Sequence, residues 1–190
     1  YAPLRHATWH GWTFTDLIFP FFLWIVGVSM VFSFARRREA GDTPQKLLRH
    51  AARRALIIFG LGLFLAGFPF GLFGGHQFSW STLRIPGVLQ RIAVCQFAAA
   101  AICLFGGTRA RVLWTIGLLA AYWLLIALVP VPGYGRGHLE PLGNLCWWID
   151  SIWLKGHTWK SAPVAGFDPE GVVSTIPAIA TVLFGALTGS

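Results

Sequence analysis

The segment Arg5-His6-Ala7-Thr8-Trp9-His10-Gly11-Trp12-Thr13-Phe14-Thr15-Asp16 runs into an uncharged apolar stretch, 17–35, which closes on Arg36-Arg37-Arg38. A helix of about 20 predominantly apolar residues is needed to cross the hydrocarbon core of a bilayer, so this stretch predicts a transmembrane helix. Its ends differ in chemistry. His6, His10 and Asp16 crowd the start, and three arginines anchor the finish.

Composition agrees with this reading along the whole chain. Hydrophobic residues make up 55%, mean hydropathy is +0.62, and charged residues fall to 12%, against about 25% in soluble domains. The pI near 10.3 would point to nucleic acid in a soluble protein. Here the positive-inside rule accounts for it, and nucleic acid is not an expected partner. Residues 36–54 hold Arg36, Arg37, Arg38, Lys46, Arg49, Arg53 and Arg54 against Glu39 and Asp42. A cytoplasmic loop there puts the His6 end on the opposite side of the membrane.

Four further spans are expected. The second covers about 55–73 after an amphipathic lead-in, with Gly67-x-x-x-Gly71 placed for close helix packing. The third covers 86–105, with Pro86 in its first turn. Gln90 and Arg91 lie within two turns of its start. A guanidinium at that depth costs about 2.5–3.5 kcal/mol on insertion scales and calls for a polar cavity, a partner or snorkelling to the interface. If the helix already includes Arg84, then Arg84 and Arg91, two turns apart, share one face. The fourth span covers 112–129 and ends at Pro130 and Pro132. A long extracytoplasmic loop follows, with a tryptophan-rich interfacial helix at 144–154. Ser174 is placed to cap the fifth span.

The expected fold is therefore an all-α polytopic transmembrane bundle, a single domain over 1–190 that is incomplete at both ends. Alternation of the spans brings His6, His10, Asp16, His76, Arg84, Arg91, His138, Asp168 and Glu170 to one membrane face. Cys95 and Cys103 lie in an apolar helix and Cys146 among tryptophans. Their spacing offers neither a zinc site nor a disulfide framework, and no metal is expected.

Three separated blocks carry a family resemblance. His6-Ala7-Thr8-Trp9-His10-Gly11 with Asp16 and Pro20, then Arg84-Ile85-Pro86-Gly87-Val88-Leu89-Gln90-Arg91, then Asp168-Pro169-Glu170-Gly171 with Ser174-Thr175-Ile176-Pro177, together resemble the heparan-α-glucosaminide N-acetyltransferase family and its bacterial relatives. The resemblance implies an integral-membrane enzyme that moves an acetyl group from acetyl-CoA to an amino sugar. It also implies that His6 is the active-site histidine. In the lysosomal enzyme the acceptor is the terminal glucosamine of heparan sulfate. His10 stands where that enzyme has a polar amide, and its N-terminal luminal domain has no counterpart here. The acceptor is therefore either a glucosamine-type sugar or another cell-envelope molecule. The expected location is a bacterial inner membrane with the His6 end periplasmic.

Within that framework each residue type has a task. Imidazole titrates near neutrality, so His6 suits a general base or a transient acetyl carrier. Asp16 is either its orienting partner or a helix cap. Arg84, Gln90 and Arg91, with the start of the third span, are the candidates for the phosphates of acetyl-CoA. Asp168 and Glu170 are candidates for bonds to the sugar; as helix N-terminal charges they have an ordinary alternative reading. The expected partners are the bilayer, a small-molecule or glycan acceptor and a second copy in a homodimer. A transporter or flippase half is the competing class, since Gly/Pro-broken helices with a buried arginine also mark substrate paths.

Overall fold

The computed structural model describes residues 4–72 and 78–190; His76 lies outside them. The chain forms α1 (Phe14–Glu39), α2 (Pro44–Gly67), a short 3-10 turn (Trp80–Thr82), α3 (Val88–Phe105), α4 (Thr108–Leu128), α5 (Leu145–Trp153) and α6 (Thr175–Thr188). Four of these helices, α1 to α4, are long and apolar enough to cross a membrane. Their outer faces expose Phe21, Phe22, Ile25, Leu56, Leu61, Leu113 and Trp123, side chains suited to lipid.

The helix limits correct several sequence expectations. The basic stretch 36–54 is largely helical: Arg36, Arg37 and Arg38 form the last turn of α1, and Lys46, Arg49, Arg53 and Arg54 lie on α2. Arginine and lysine are good helix formers, so a basic run does not stop a helix. Pro44 opens α2 at the position where a missing N–H is harmless. Pro86 precedes α3, which starts at Val88, and Arg109 and Arg111 belong to the first turn of α4. The fifth expected span appears as α6, a 14-residue apolar helix.

The chain packs as two compact units. The first comprises 1–52, 95–119 and 177–190. Within it the backbones of α1 and α6 touch. A Cβ at Gly27 would overlap the Val182 carbonyl, and one at Gly185 would overlap the Trp24 carbonyl. Small residues are what allow apolar helices to approach this closely. Leu23, Val182 and Leu183 are buried, and the Trp24 indole N–H donates to Thr188 Oγ1 at 3.3 Å. In the turn after α1, Asp42 accepts from Arg37 Nε at 2.8 Å and pairs with Lys46. Lys46 first, then Arg37, hold its carboxyl below the ordinary range. Arg38 reaches the Leu104 carbonyl at the end of α3, 3.1 Å away, a favourable place for a cation.

The second unit comprises 53–94 and 120–176. Here α2 and α3 meet where Gly62 lies against the Gln90 side chain, which also packs on Gly87. The Gly67/Gly71 spacing has a different role from the one expected. α2 ends at Gly67, whose missing side chain makes room for the Phe70 ring, and Gly71 turns the chain at φ 75°. The α5 helix is capped by Asn144, whose Oδ1 accepts from the Trp147 N–H at 2.8 Å.

Candidate functional site

In the first unit, Asp16 sits in the first turn of α1 and divides its oxygens between two tasks. Oδ2 accepts from the Thr13 N–H at 2.7 Å, the Ala7 N–H at 3.1 Å and the Thr13 hydroxyl at 3.0 Å. These bonds satisfy donors that a helix start leaves open. Oδ1 lies 2.6 Å from His6 Nδ1. Asp16 thus both caps α1 and touches His6. A carboxylate only accepts, so Nδ1 carries the proton of this contact when the ring is neutral, and Nε2 keeps its lone pair. The His6 side chain is 74% exposed. His10 is also exposed.

In the second unit, segment 168–174 gathers a network of charges. Arg84 Nε is 2.9 Å from Asp168 Oδ2 and its Nη2 is 2.7 Å from Asp168 Oδ1; the same Nη2 donates to Glu170. The guanidinium lies 5.7 Å from the Trp159 ring centre. Burial works against the Arg84 charge, but the Asp168 and Glu170 carboxylates outweigh it and raise the pKa above the ordinary arginine value. Asp168 is fully buried, and its oxygens also accept from the Trp159 N–H at 2.8 Å and the Glu170 N–H at 3.0 Å. Arg91, 9% exposed, donates to the carbonyls of Pro169 at 2.8 Å and Gly171 at 3.3 Å and to the Ser174 hydroxyl. Its depth is therefore met by a partner segment.

Asp150 completes this cluster and escaped the sequence reading. It projects from α5 with no exposed surface, and Oδ1 accepts from the Val172 N–H at 3.0 Å. Burial pushes its carboxyl up to about 6, partly offset by the Val172 N–H. An acid among Trp147, Trp148, Ile149 and Ile152 on a short apolar helix is the signal that could have found it. Nearby, burial raises the Cys146 thiol to about 11. His138 packs against Tyr134, ring centres 5.5 Å apart, in the turn after α4. Among the described residues no group of three or more His, Cys, Asp or Glu side chains forms a metal site.

The residues expected to hold ligands make contacts within the protein. A phosphate needs donors that face it. Arg84 is occupied by two carboxylates, Arg91 is directed at Pro169, Gly171 and Ser174, and Gln90 is folded between α2 and α3. All three side chains are engaged by other parts of the protein. Asp168, with both oxygens engaged inside the unit, braces its own segment. Ser174 turns its hydroxyl to the Pro169 and Gly171 carbonyls, 3.1 and 3.2 Å away.

No family model matches the chain. It is similar to the heparan-alpha-glucosaminide N-acetyltransferase of Homo sapiens, 29% identical over 230 aligned residues, and to that of Mus musculus, 28% identical over 230 aligned residues. Each similarity covers 100% of this chain but 34% and 35% of the two relatives, so the chain spans about a third of their length. The four helices of membrane-spanning length mark the chain as an integral membrane protein, one that is similar over its full length to these two heparan-alpha-glucosaminide N-acetyltransferases.

Proposed function

We propose that the chain carries the histidine segment of a membrane acetyltransferase that moves an acetyl group from acetyl-CoA to an amino sugar of the glucosamine type, or to a related cell-envelope acceptor. The observation that carries the proposal is the His6–Asp16 contact of 2.6 Å at the start of a spanning helix. The names of the two relatives support the reaction class.

Asp16 holds the imidazole with Nε2 turned to act as a base, and it stabilises the ring once that nitrogen gains a proton. Nε2 takes the proton that the acceptor amine releases as its nitrogen bonds to the acetyl carbon; the acetyl–sulfur bond of acetyl-CoA breaks, and Nε2 passes that proton to the departing thiolate to give free CoA thiol. The basic end of α1 supports placing His6 on the non-cytoplasmic face, the periplasmic face in a bacterial inner membrane.

The test is to incubate the full-length protein with labelled acetyl-CoA and glucosamine. Label is expected on the sugar, and His6→Ala is expected to abolish it. Label held on the protein and lost in His6→Ala would identify an acetyl-histidine carrier. Uptake of glucosamine without acetylation, or an unchanged rate in His6→Ala, would overturn the proposal.

A further inference from the structure

Segment 168–174 is gripped from two sides, by the arginines at and before the start of α3 and by Asp150 from α5. The Asp150 grip is chemically uneven. Oδ1 has the Val172 N–H, whereas Oδ2, fully buried, has no hydrogen bond of good geometry among the described residues, the Asp168 backbone N–H lying near enough only to lower the carboxyl somewhat. Gly171 fills the space beside it, since even a Cβ there would overlap Oδ2. A water or cation would need that same space.

Charge points the same way. The titratable and charged groups facing Asp150 are Asp168, Arg91 and Cys146. Beyond them stand Arg84 and Glu170 on Asp168, and Tyr122 beside Cys146 at 3.9 Å. The guanidinium groups of Arg84 and Arg91 balance two of the three carboxyl groups of Asp150, Asp168 and Glu170. One carboxyl is left over. The one with a buried oxygen lacking a hydrogen bond of good geometry is the least able to keep its charge.

We propose that Asp150 is a proton-dependent latch: with a proton on its carboxyl it seats segment 168–174 on α5, and loss of that proton loosens the segment. Its carboxyl is raised by burial from the ordinary 3.8 to about 6. A group whose pKa is higher in the seated form favours that form most strongly below its ordinary value, and the preference fades as pH rises through the higher one. Between pH 5 and pH 8 the seating equilibrium should weaken about tenfold.

Hydrogen–deuterium exchange of the segment in the detergent-solubilised full-length protein, corrected for the intrinsic effect of pH on exchange, tests this. The wild type should be protected about tenfold more at pH 5 than at pH 8. Asp150→Asn, neutral at both values, should keep the same protection throughout. Equal wild-type protection at the two values, or a pH dependence that survives in Asp150→Asn, would overturn the latch. Should Asp150→Asn fail to fold, the infrared band of protonated carboxyl groups in the wild type decides. A band that titrates together with the exchange protection supports the latch, and one that does not overturns it.

Discussion

Arg84 meets Asp168 edge-on, Nε to Oδ2 at 2.9 Å and Nη2 to Oδ1 at 2.7 Å, across 84 residues of chain. The carboxylate is fully buried while the arginine side chain is 27% exposed. Removing the guanidinium would leave a buried charge with only backbone donors. Arg84→Ala should therefore lower stability by about 3–5 kcal/mol. Arg84→Lys keeps the charge but loses the planar fork, and should fall between the two. Thermal unfolding of the purified protein in detergent measures both, and an unchanged midpoint in Arg84→Ala would contradict this account.

The His6–Asp16 pair separates activity from stability. His6 is largely exposed, so His6→Ala should alter stability by no more than about 0.5 kcal/mol while removing acetyl transfer. Asp16→Asn weakens both the orientation of His6 and the bonds at the start of α1. It should cost about 1 kcal/mol of stability and lower kcat by about 100-fold, with a smaller effect on KM. Steady-state kinetics of the full-length variants beside their unfolding curves distinguish the two contributions.

Gly27 and Gly185 make the α1–α6 contact possible because a Cβ at either would overlap a backbone carbonyl of the facing helix. Backbone cannot rotate away as a side-chain tip can. Gly27→Ala or Gly185→Ala should therefore destabilise by about 1–3 kcal/mol. Gly60→Ala is the control: nothing lies within 4 Å of its Cβ, and alanine should stabilise α2 by up to about 1 kcal/mol. Equal unfolding midpoints for all three variants would refute the close contact.

The existence of α1 to α4 was legible from apolar length alone, because a helix in lipid satisfies its backbone within the segment whatever surrounds it. The limits of the helices were less legible. Arg49, Arg53 and Arg54 read as a lead-in outside the second span by charge, yet they are part of α2 itself, since charge sets orientation more than conformation. A helix was expected over 144–154 from its tryptophans, and α5 spans Leu145–Trp153 with Asn144 as a cap that was not read from the sequence. The Gly67 and Gly71 spacing misled, as a four-residue interval has packing meaning only while the helix lasts.

The sequence by itself determined that this is an all-helical membrane chain with a histidine and an aspartate at the start of its first span. Those features follow from local composition, whereas the contact of His6 with Asp16, ten residues apart, was decided by the fold. Only the tertiary structure decided what Arg84, Arg91, Asp168 and Asp150 do. Their partners lie 84, 78, 84 and 22 residues away. A charge at depth announces that it needs a counterpart, but the packing of distant segments chooses which one, and here it turned residues with the chemistry of ligand binding into supports for one another.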